Sequence, residues 1–289
     1  MGPESPSLAV IVQPESPPSP PPEPCCETAF RGIVEDCLFS IDASLALFLN
    51  SDAPDGPHKT RVALRRLTTC LDAFAPILRR KLRGALRDDA KRMFRDLGQV
   101  RDSDVYTLDR REDPGHEVRS QRNQKLRDQT RKRLRRHKAV AVAPRALRLV
   151  QPGGEIYRTT EAALALRAGP LPSFAAGVLD QAWNRCLGYG TSAAAIPPAD
   201  RHDFRKDMKT LRYLCEFFDD LFPGLAEDPF ASDFRRIQNA LGTVNDYEVA
   251  LAMERRKPPR SLPPEQAEAL ALADALWARL SAAAPPWRC

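Results

Sequence analysis

One stretch of sequence occurs twice in this chain: HKTRVALRRL at residues 58–67 and HDFRKDMKTL at residues 202–211. The same offset of 144 residues relates LGQVRD at 97–102 to LGTVND at 241–246. A repeat at one long, fixed offset is typical of a chain built from two similar units. Each copy also carries the pattern His-xx-Arg-xxx-Arg/Lys, so the folded chain holds two matching sets of cations. Two such sets need a counter-charge.

The hydrophobic spacing around these copies predicts helices. Apolar residues between Phe30 and Leu49 recur every three or four positions, which indicates an amphipathic helix. Further helices are predicted over about 57–80 and 82–97, the second ended by Gly98 as the left-handed residue that follows a helix. No continuous alternation typical of strands occurs in the sequence. The chain is therefore predicted to be all-α, with two four-helix bundles packed as antiparallel units.

Composition divides the 289 residues into four parts. Residues 1–26 form a proline-rich tail that is expected to be disordered, since its first 24 positions contain nine prolines. Residues 27–140 form the first helical repeat, 141–170 a connector rich in Pro and Gly, and 171–285 the second repeat. The span 27–285 is expected to form one domain.

The net charge of +6 is unevenly distributed along the chain. Residues 119–138 contain ten Lys or Arg and one Asp, a net of +9, which leaves the remainder at −3. Such localised charge favours an anion-binding surface. The seven cysteines show no C-x-x-C pair and no zinc spacing, and no apolar run reaches the ~18 to 20 residues of a membrane span. A cytoplasmic protein with reduced thiols and no membrane association is predicted.

The two cationic motifs form two stripes when they are placed on helices. Positions separated by 3, 7 and 10 or 11 residues share one helix face. One stripe holds His58, Arg61 and Arg65, with Arg66 beside it, and the other holds His202, Arg205, Lys209 and Arg212; these eight are called the stripe residues. Arginine gives phosphate two parallel hydrogen bonds and lysine gives it a compact charge, so a regular ladder of these groups fits a regular ladder of anions.

A structural interpretation of the stripes is the alternative. In that case Arg61, Arg65, Arg205 and Lys209 pair with carboxylates of neighbouring helices. The candidate carboxylates are Asp102, Asp104, Asp246 and Glu248. Because the same stripe is present in both copies, the binding interpretation is favoured.

The basic helix at 119–138 offers further candidates for the anion groove. Arg122, Arg133 and Arg136 flank its narrow apolar stripe. Its counterpart in the second repeat is sparsely charged, so the groove is expected to be strongest on the N-terminal side.

The doubled order of these motifs resembles the CHAD family, the conserved-histidine α-helical domains, over residues 27–285. The resemblance rests on the two His-xx-Arg motifs, each followed by its Leu-Gly motif. It implies two four-helix bundles related by a pseudo-twofold axis, with a basic pore or groove at the centre. It also implies binding of inorganic polyphosphate by the eight stripe residues and, in some members, targeting to polyphosphate granules. Thr68 and Thr210 stand where the family pattern usually has arginine, so each copy is one cation short.

Three functional hypotheses remain open at this point. The leading one is non-enzymatic binding of polyphosphate, with no cofactor and no metal, in the cytoplasm and, as an option, on polyphosphate granules. The second is a phosphoanhydride-processing enzyme or accessory domain, such as a metal-dependent polyphosphate or triphosphate hydrolase, which would need carboxylates facing the cations. The third is a helical nucleic-acid-binding protein, limited to non-specific binding because no Phe, Tyr or Trp lies between Tyr106 and Tyr157.

Overall fold

The computed structural model describes residues 24–227, 230–254, 256–257, 259 and 261–288. In these residues the chain is helical. Its extended pairing there is limited to two isolated β-bridges, so the all-α prediction is confirmed. The helices are α1 (Cys26–Asn50), α2 (Asp55–Ala73), α3 (Arg80–Asp109), α4 (His116–Arg136), α5 (Val142–Val150), α6 (Glu161–Ala168), α7 (Leu171–Leu187), α8 (Pro198–Phe217), α9 (Phe230–Met253) and α10 (Pro264–Ala282). The predicted tail falls outside the described residues up to position 23.

Consecutive helices pack against one another in two sets. In the first set α1 packs on α2, α2 on α3 and α3 on α4, and in the second set α7 packs on α8, α8 on α9 and α9 on α10. The short helices α5 and α6 both pack on α1. The two sets meet where α2 contacts α8, and these are the two helices that carry the cationic motif. Among the described residues, no helix is long and apolar enough to cross a membrane.

Four phenylalanines, related in pairs by the 144-residue offset, meet where the two sets join. The ring of Phe74 lies 5.4 Å from that of Phe30, 4.8 Å from Phe174 and 6.3 Å from Phe218, measured between centroids. Tilted aromatic pairs of this kind contribute ~0.5–1.5 kcal/mol each beyond the burial of their area. They belong to one hydrophobic cluster that includes residues of both sets, so α2 and α8 are fixed relative to each other by a shared core.

The prediction that a helix ends at Gly98 is wrong. Helix α3 continues to Asp109, so Asp102 lies inside it and does not cap a new helix. The glycine is explained by packing: a Cβ at position 98 would overlap Nη1 of Arg61, which donates a hydrogen bond to the carbonyl oxygen of Phe94 (2.9 Å). The glycine thus lets an arginine from α2 lie directly against α3.

The break between α3 and α4 comes later than Gly98. Gly115 has φ 82°, a left-handed conformation that favours glycine, and α4 begins at the next residue.

The basic helix α4 binds the C-terminal end of α1. Nε of Arg131 donates to the carbonyl oxygen of Phe48, and Nη2 of Arg135 donates to that of Leu49, both at 2.9 Å. The last four carbonyls of a helix have no partner within it and carry partial negative charge, which cations stabilise. Part of the charge in this segment is therefore used to hold the fold together.

A pair of glycine substitutions tests the packing role of Gly98. We expect Gly242→Ala to raise the free energy of unfolding by about 0.5–1 kcal/mol, since a helical glycine is less favourable than alanine and its Cβ would meet only Nη2 of Arg205 at 3.7 Å. Gly98→Ala should gain less or lose stability, because Arg61 must give up its bond to Phe94. Urea unfolding of both variants measures the difference, and equal gains would contradict this role.

Candidate functional site

A cavity of about 740 Å³ lies between α2, α3, α8 and α9. Its lining brings together seven of the eight stripe residues from the two copies of the motif. These seven are His58, Arg61, Arg65, His202, Arg205, Lys209 and Arg212. The two stripes, far apart in the sequence, thus face one common space.

The ring of Phe94 on α3 positions two of these cations. The guanidinium carbon of Arg61 lies 3.9 Å from the ring centroid and that of Arg65 lies 4.9 Å from it. A cation over an aromatic face is attracted by ~0.5–1 kcal/mol at exposed sites and more strongly where water is excluded. Phe94 carries no charge, so it orients both groups and leaves their charge available. The sequence motifs gave no indication of this role.

Four of the cations have no carboxylate partner in the described part of the chain. Arg61, Arg65, Arg205 and Lys209 form no ion pair there, and Nε of Arg205 is buried without a hydrogen-bond partner. The structural interpretation of the stripes therefore does not hold for these four.

Of the four candidate carboxylates, one pairs elsewhere, two act only through space, and Glu248 forms no ion pair among the described residues. Asp104 is 3% exposed and binds Nη1 of Arg127 at 2.7 Å. Asp102 and Asp246 line the cavity, where they attract Arg61 and Arg205 without contacting them. They reduce the repulsion among the cations and do not cancel it.

Burial and repulsion act together on Lys209. Withdrawal from water, and then the positive charges of Arg205, Arg65 and Arg212, lower the pKa of its ammonium group to about 7, and Asp246 opposes the shift. Withdrawal from water also lowers the pKa of Arg61, Arg65 and Arg205, although arginine remains charged in proteins. The empty cavity therefore holds a lysine whose charge is lost as the pH rises above neutrality.

The two histidines lie at the rim of the cavity. Limited access of water, and then the charge of Arg101, lower the pKa of His58, which is therefore neutral at pH 7 and can supply an N–H donor. Nδ1 of His202 lies 3.3 Å from Oδ1 of Asn245, a residue of α9. Both histidines nevertheless keep part of their surface exposed to solvent at the rim.

Arg66 does not line the cavity. It contacts Glu216 of α8, which also accepts a hydrogen bond from Nη1 of Arg212 at 2.6 Å. The Glu216 carboxylate thus links α2 to α8 and holds Arg212 from outside the cavity.

Tyr213 is a cavity residue that the stripe pattern did not select. It is 3% exposed and lines the cavity, and no hydrogen-bond partner of its hydroxyl group occurs among the described residues. The guanidinium carbon of Arg212 lies 4.7 Å from the centroid of its ring.

The three arginines of α4 lie outside the cavity. Arg122 and Arg136 are exposed, and Nε of Arg133 pairs with Asp96 at 3.2 Å. The structure therefore does not bring them together with the stripe residues, because α4 packs on the side of α3 and α1. Within the described residues, no group of three or more His, Cys, Asp or Glu side chains is placed to hold a metal ion.

Comparisons with known proteins agree with this architecture. A family model described as the CHAD domain matches residues 32–255. The crystal structure of the CHAD domain from the plant Ricinus communis superposes with a TM-score of 0.65 at 23% identity, covering 91% of this chain and 89% of that one. PptA from Streptomyces chartreusis superposes with a TM-score of 0.56 at 15% identity, covering 89% of this chain and 95% of that one. At these identities the likeness shows a shared fold. No curated protein matches the chain significantly.

Replacement of Lys209 tests the electrostatic cost of the empty cavity. The unfolded state binds one more proton than the folded state between about pH 7 and the usual lysine pKa of 10.5, so this contribution to stability rises with pH across that window. We expect Lys209→Met to raise the free energy of unfolding at pH 7 by at least about 1 kcal/mol. This lower bound is smaller than the free energy that corresponds to a shift of one pKa unit. The gain should shrink at about pH 9.

Urea unfolding in chloride buffers free of phosphate measures this gain. Lys132→Met, at an exposed lysine of α4, is the matched control and should change stability little at either pH. A gain from Lys209→Met that does not depend on pH would contradict the titration of Lys209.

Proposed function

The chain belongs to the CHAD domain family, and we propose that it binds inorganic polyphosphate, without catalysis, in the cavity between α2, α3, α8 and α9. The observation that carries the proposal is the convergence of four cations without carboxylate partners: Arg61, Arg65, Arg205 and Lys209. Bringing like charges together in a partly dry space costs free energy unless an anion lies between them.

The arrangement of the cations favours a linear polyanion over a single phosphate. Residues three and four positions apart on a helix are ~5 to 6 Å apart, so each stripe offers charges at regular intervals along the cavity. The two stripes come from α2 and α8 and face the same space. A chain of linked phosphates can meet several of these groups at once.

Each lining residue has a proposed role. Arg61 and Arg65, held by Phe94, offer guanidinium groups to pairs of phosphate oxygens. Arg205 and Lys209 add charge from the opposite helix, and Arg212 lines the same cavity while Glu216 binds its guanidinium group from outside the lining.

Further hydrogen-bond donors and one positioning residue complete the proposed site. His58, His202 and Tyr213 add N–H and O–H donors at the walls of the cavity. Arg66 is assigned a positioning role, since its guanidinium group is engaged by Glu216.

Two features weigh against the other functional classes. An enzyme that cleaves phosphoanhydrides would use metal-holding carboxylates, and those in the cavity, such as Asp102 and Asp246, are not grouped to hold a metal ion in the described residues. A nucleic-acid surface on α4 would compete with the carbonyl groups that Arg131 and Arg135 already bind. We also propose that the chain acts in the cytoplasm, on polyphosphate granules.

A charge reversal in the cavity tests the binding site. We expect Arg65→Glu/Lys209→Glu to weaken binding of long-chain polyphosphate more than about 100-fold, since each charge-assisted hydrogen bond contributes ~1.5–3 kcal/mol. Arg122→Glu/Arg136→Glu makes the same change in net charge outside the cavity and should have a much smaller effect. Fluorescence anisotropy of end-labelled polyphosphate, with circular dichroism to verify folding, measures both. Equal losses would rule out the cavity as the site.

A phosphate-release assay and a competition assay on the same protein distinguish the three functional classes. With Mg²⁺ or Mn²⁺ present, we expect no release of phosphate from polyphosphate or triphosphate, and we expect RNA and DNA to compete only weakly at fixed salt. Metal-dependent hydrolysis that disappears in the Arg65→Glu/Lys209→Glu variant would instead establish an enzyme.

The affinity for polyphosphate should depend on pH through Lys209. A bound anion raises the pKa of this lysine above its value of about 7 in the empty cavity, so binding takes up a proton. We expect the affinity to fall as the pH rises from about 7 to about 9, by at most about tenfold per pH unit for one proton. Lys209→Arg stays charged and should flatten the profile in the same titration. An unchanged slope in that variant would assign the proton to another group.

A further inference from the structure

We propose that the anion site continues out of the cavity, past Phe94, onto the outer face of α3, where Lys91, Arg92 and Arg95 bind further phosphates of the same chain. This extension rests on the proposed function and specifies its substrate: long chains rather than short ones.

The two spaces share a wall. A second, more open cavity of about 440 Å³ is lined by Asp88, Lys91, Arg92, Phe94 and Arg95, all on α3. Phe94 also lines the central cavity. A chain that leaves the central cavity beside Arg61 and Arg65, which lie over the Phe94 ring, therefore arrives directly at these residues.

The helix itself makes the path continuous. Positions 88, 91, 95, 98 and 102 follow one another at intervals of three or four residues, so they lie along one stripe of α3. The C-terminal part of this stripe faces the central cavity, where Asp102 lies. Its N-terminal part carries Lys91 and Arg95. At Gly98 the stripe is covered by the guanidinium group of Arg61, so a ligand that follows the stripe passes over this cation from one part to the other.

The cations of the second cavity are available to a ligand. Lys91 and Arg95 are exposed and form no ion pair or hydrogen bond with the described residues. Nη1 of Arg92 lies 3.5 Å from Oδ1 of Asp89, one turn earlier in the helix. An exposed ion pair of this kind contributes little to stability in water. With Asp88 as the one carboxylate among the lining residues, the second cavity is net positive.

The available cations end one turn beyond Lys91. Nη2 of Arg87 binds Oδ2 of Asp72 at 2.9 Å, and Nη1 of Arg83 lies 3.8 Å from the same carboxylate. These two arginines share one carboxylate and are already engaged with it, so the extension ends before them. A short anion that occupies only the central cavity does not reach it, whereas a long chain meets both parts.

A second charge-reversal pair tests the extension. We expect Lys91→Glu/Arg95→Glu to weaken binding of long-chain polyphosphate about tenfold or more while changing the affinity for tripolyphosphate little. The slope of log affinity against log salt should become shallower by about 1 to 2, because fewer counterions are released. The matched control is Arg122→Glu/Arg136→Glu, which makes the same change in net charge at exposed positions of α4. If the charge reversal disturbs folding, Lys91→Ala/Arg95→Ala removes the two charges without reversing them and replaces it in the same test.

The outcomes distinguish the extension from the proposed function. If Lys91→Glu/Arg95→Glu behaves like the control toward long chains, in affinity and in salt slope, the extension is wrong, while loss of binding in Arg65→Glu/Lys209→Glu would still support the cavity. Equal losses for both probes would also overturn the extension. If tripolyphosphate binds too weakly to measure, the long-chain affinity and the salt slope decide. If the unmodified protein binds neither probe, both proposals fail.

Discussion

The repulsion among cations that are withdrawn from water is the constraint on which the rest of this structure depends. Arg61, Arg65, Arg205 and Lys209 face one cavity without carboxylate partners, and the lowered pKa of Lys209 records the cost. That repulsion acts to separate α2 from α8. The opposing free energy comes from the hydrophobic core that the two helix sets share, centred on Phe74. A shared core allows the molecule to hold these cations close together in its folded state.

The groups that position these cations are mostly uncharged. A carboxylate placed against a guanidinium group would orient it but would also neutralise it and repel an incoming anion. Arg61 is held instead by an aromatic ring, a backbone carbonyl group and the space left by Gly98. Where a carboxylate is used, at Glu216, it lies outside the lining of the cavity and also joins α2 to α8. Arg61 is thus positioned without direct neutralisation by a carboxylate.

The spacing of residues along the sequence predicted the features that depend on neighbouring residues, namely the helices and their faces. Helical spacing and the 144-residue repeat were sufficient for the all-α class, and residues three and four apart were placed on common faces. Tertiary contacts decided the rest. Gly98 ends many helices, but here it admits an arginine from α2, and Phe94 looks like an ordinary core residue in the sequence. Arg66 and Arg65 are adjacent in the chain, yet only the latter lines the cavity.

The density of positive charge along the sequence did not indicate where the cations of the cavity lie. The segment with the highest positive charge, α4, uses Arg131 and Arg135 to satisfy helix-end carbonyls, whereas the cavity draws single cations from two distant helices. What distinguishes a binding cation from a structural one is whether a partner already exists in the fold. The two copies of the motif then differ in kind: Arg65 carries a permanent charge, and its counterpart Lys209 carries one that depends on pH and on the anion itself. The repeat thus places the two groups in matching positions, and the difference between arginine and lysine makes the charge of one of them conditional.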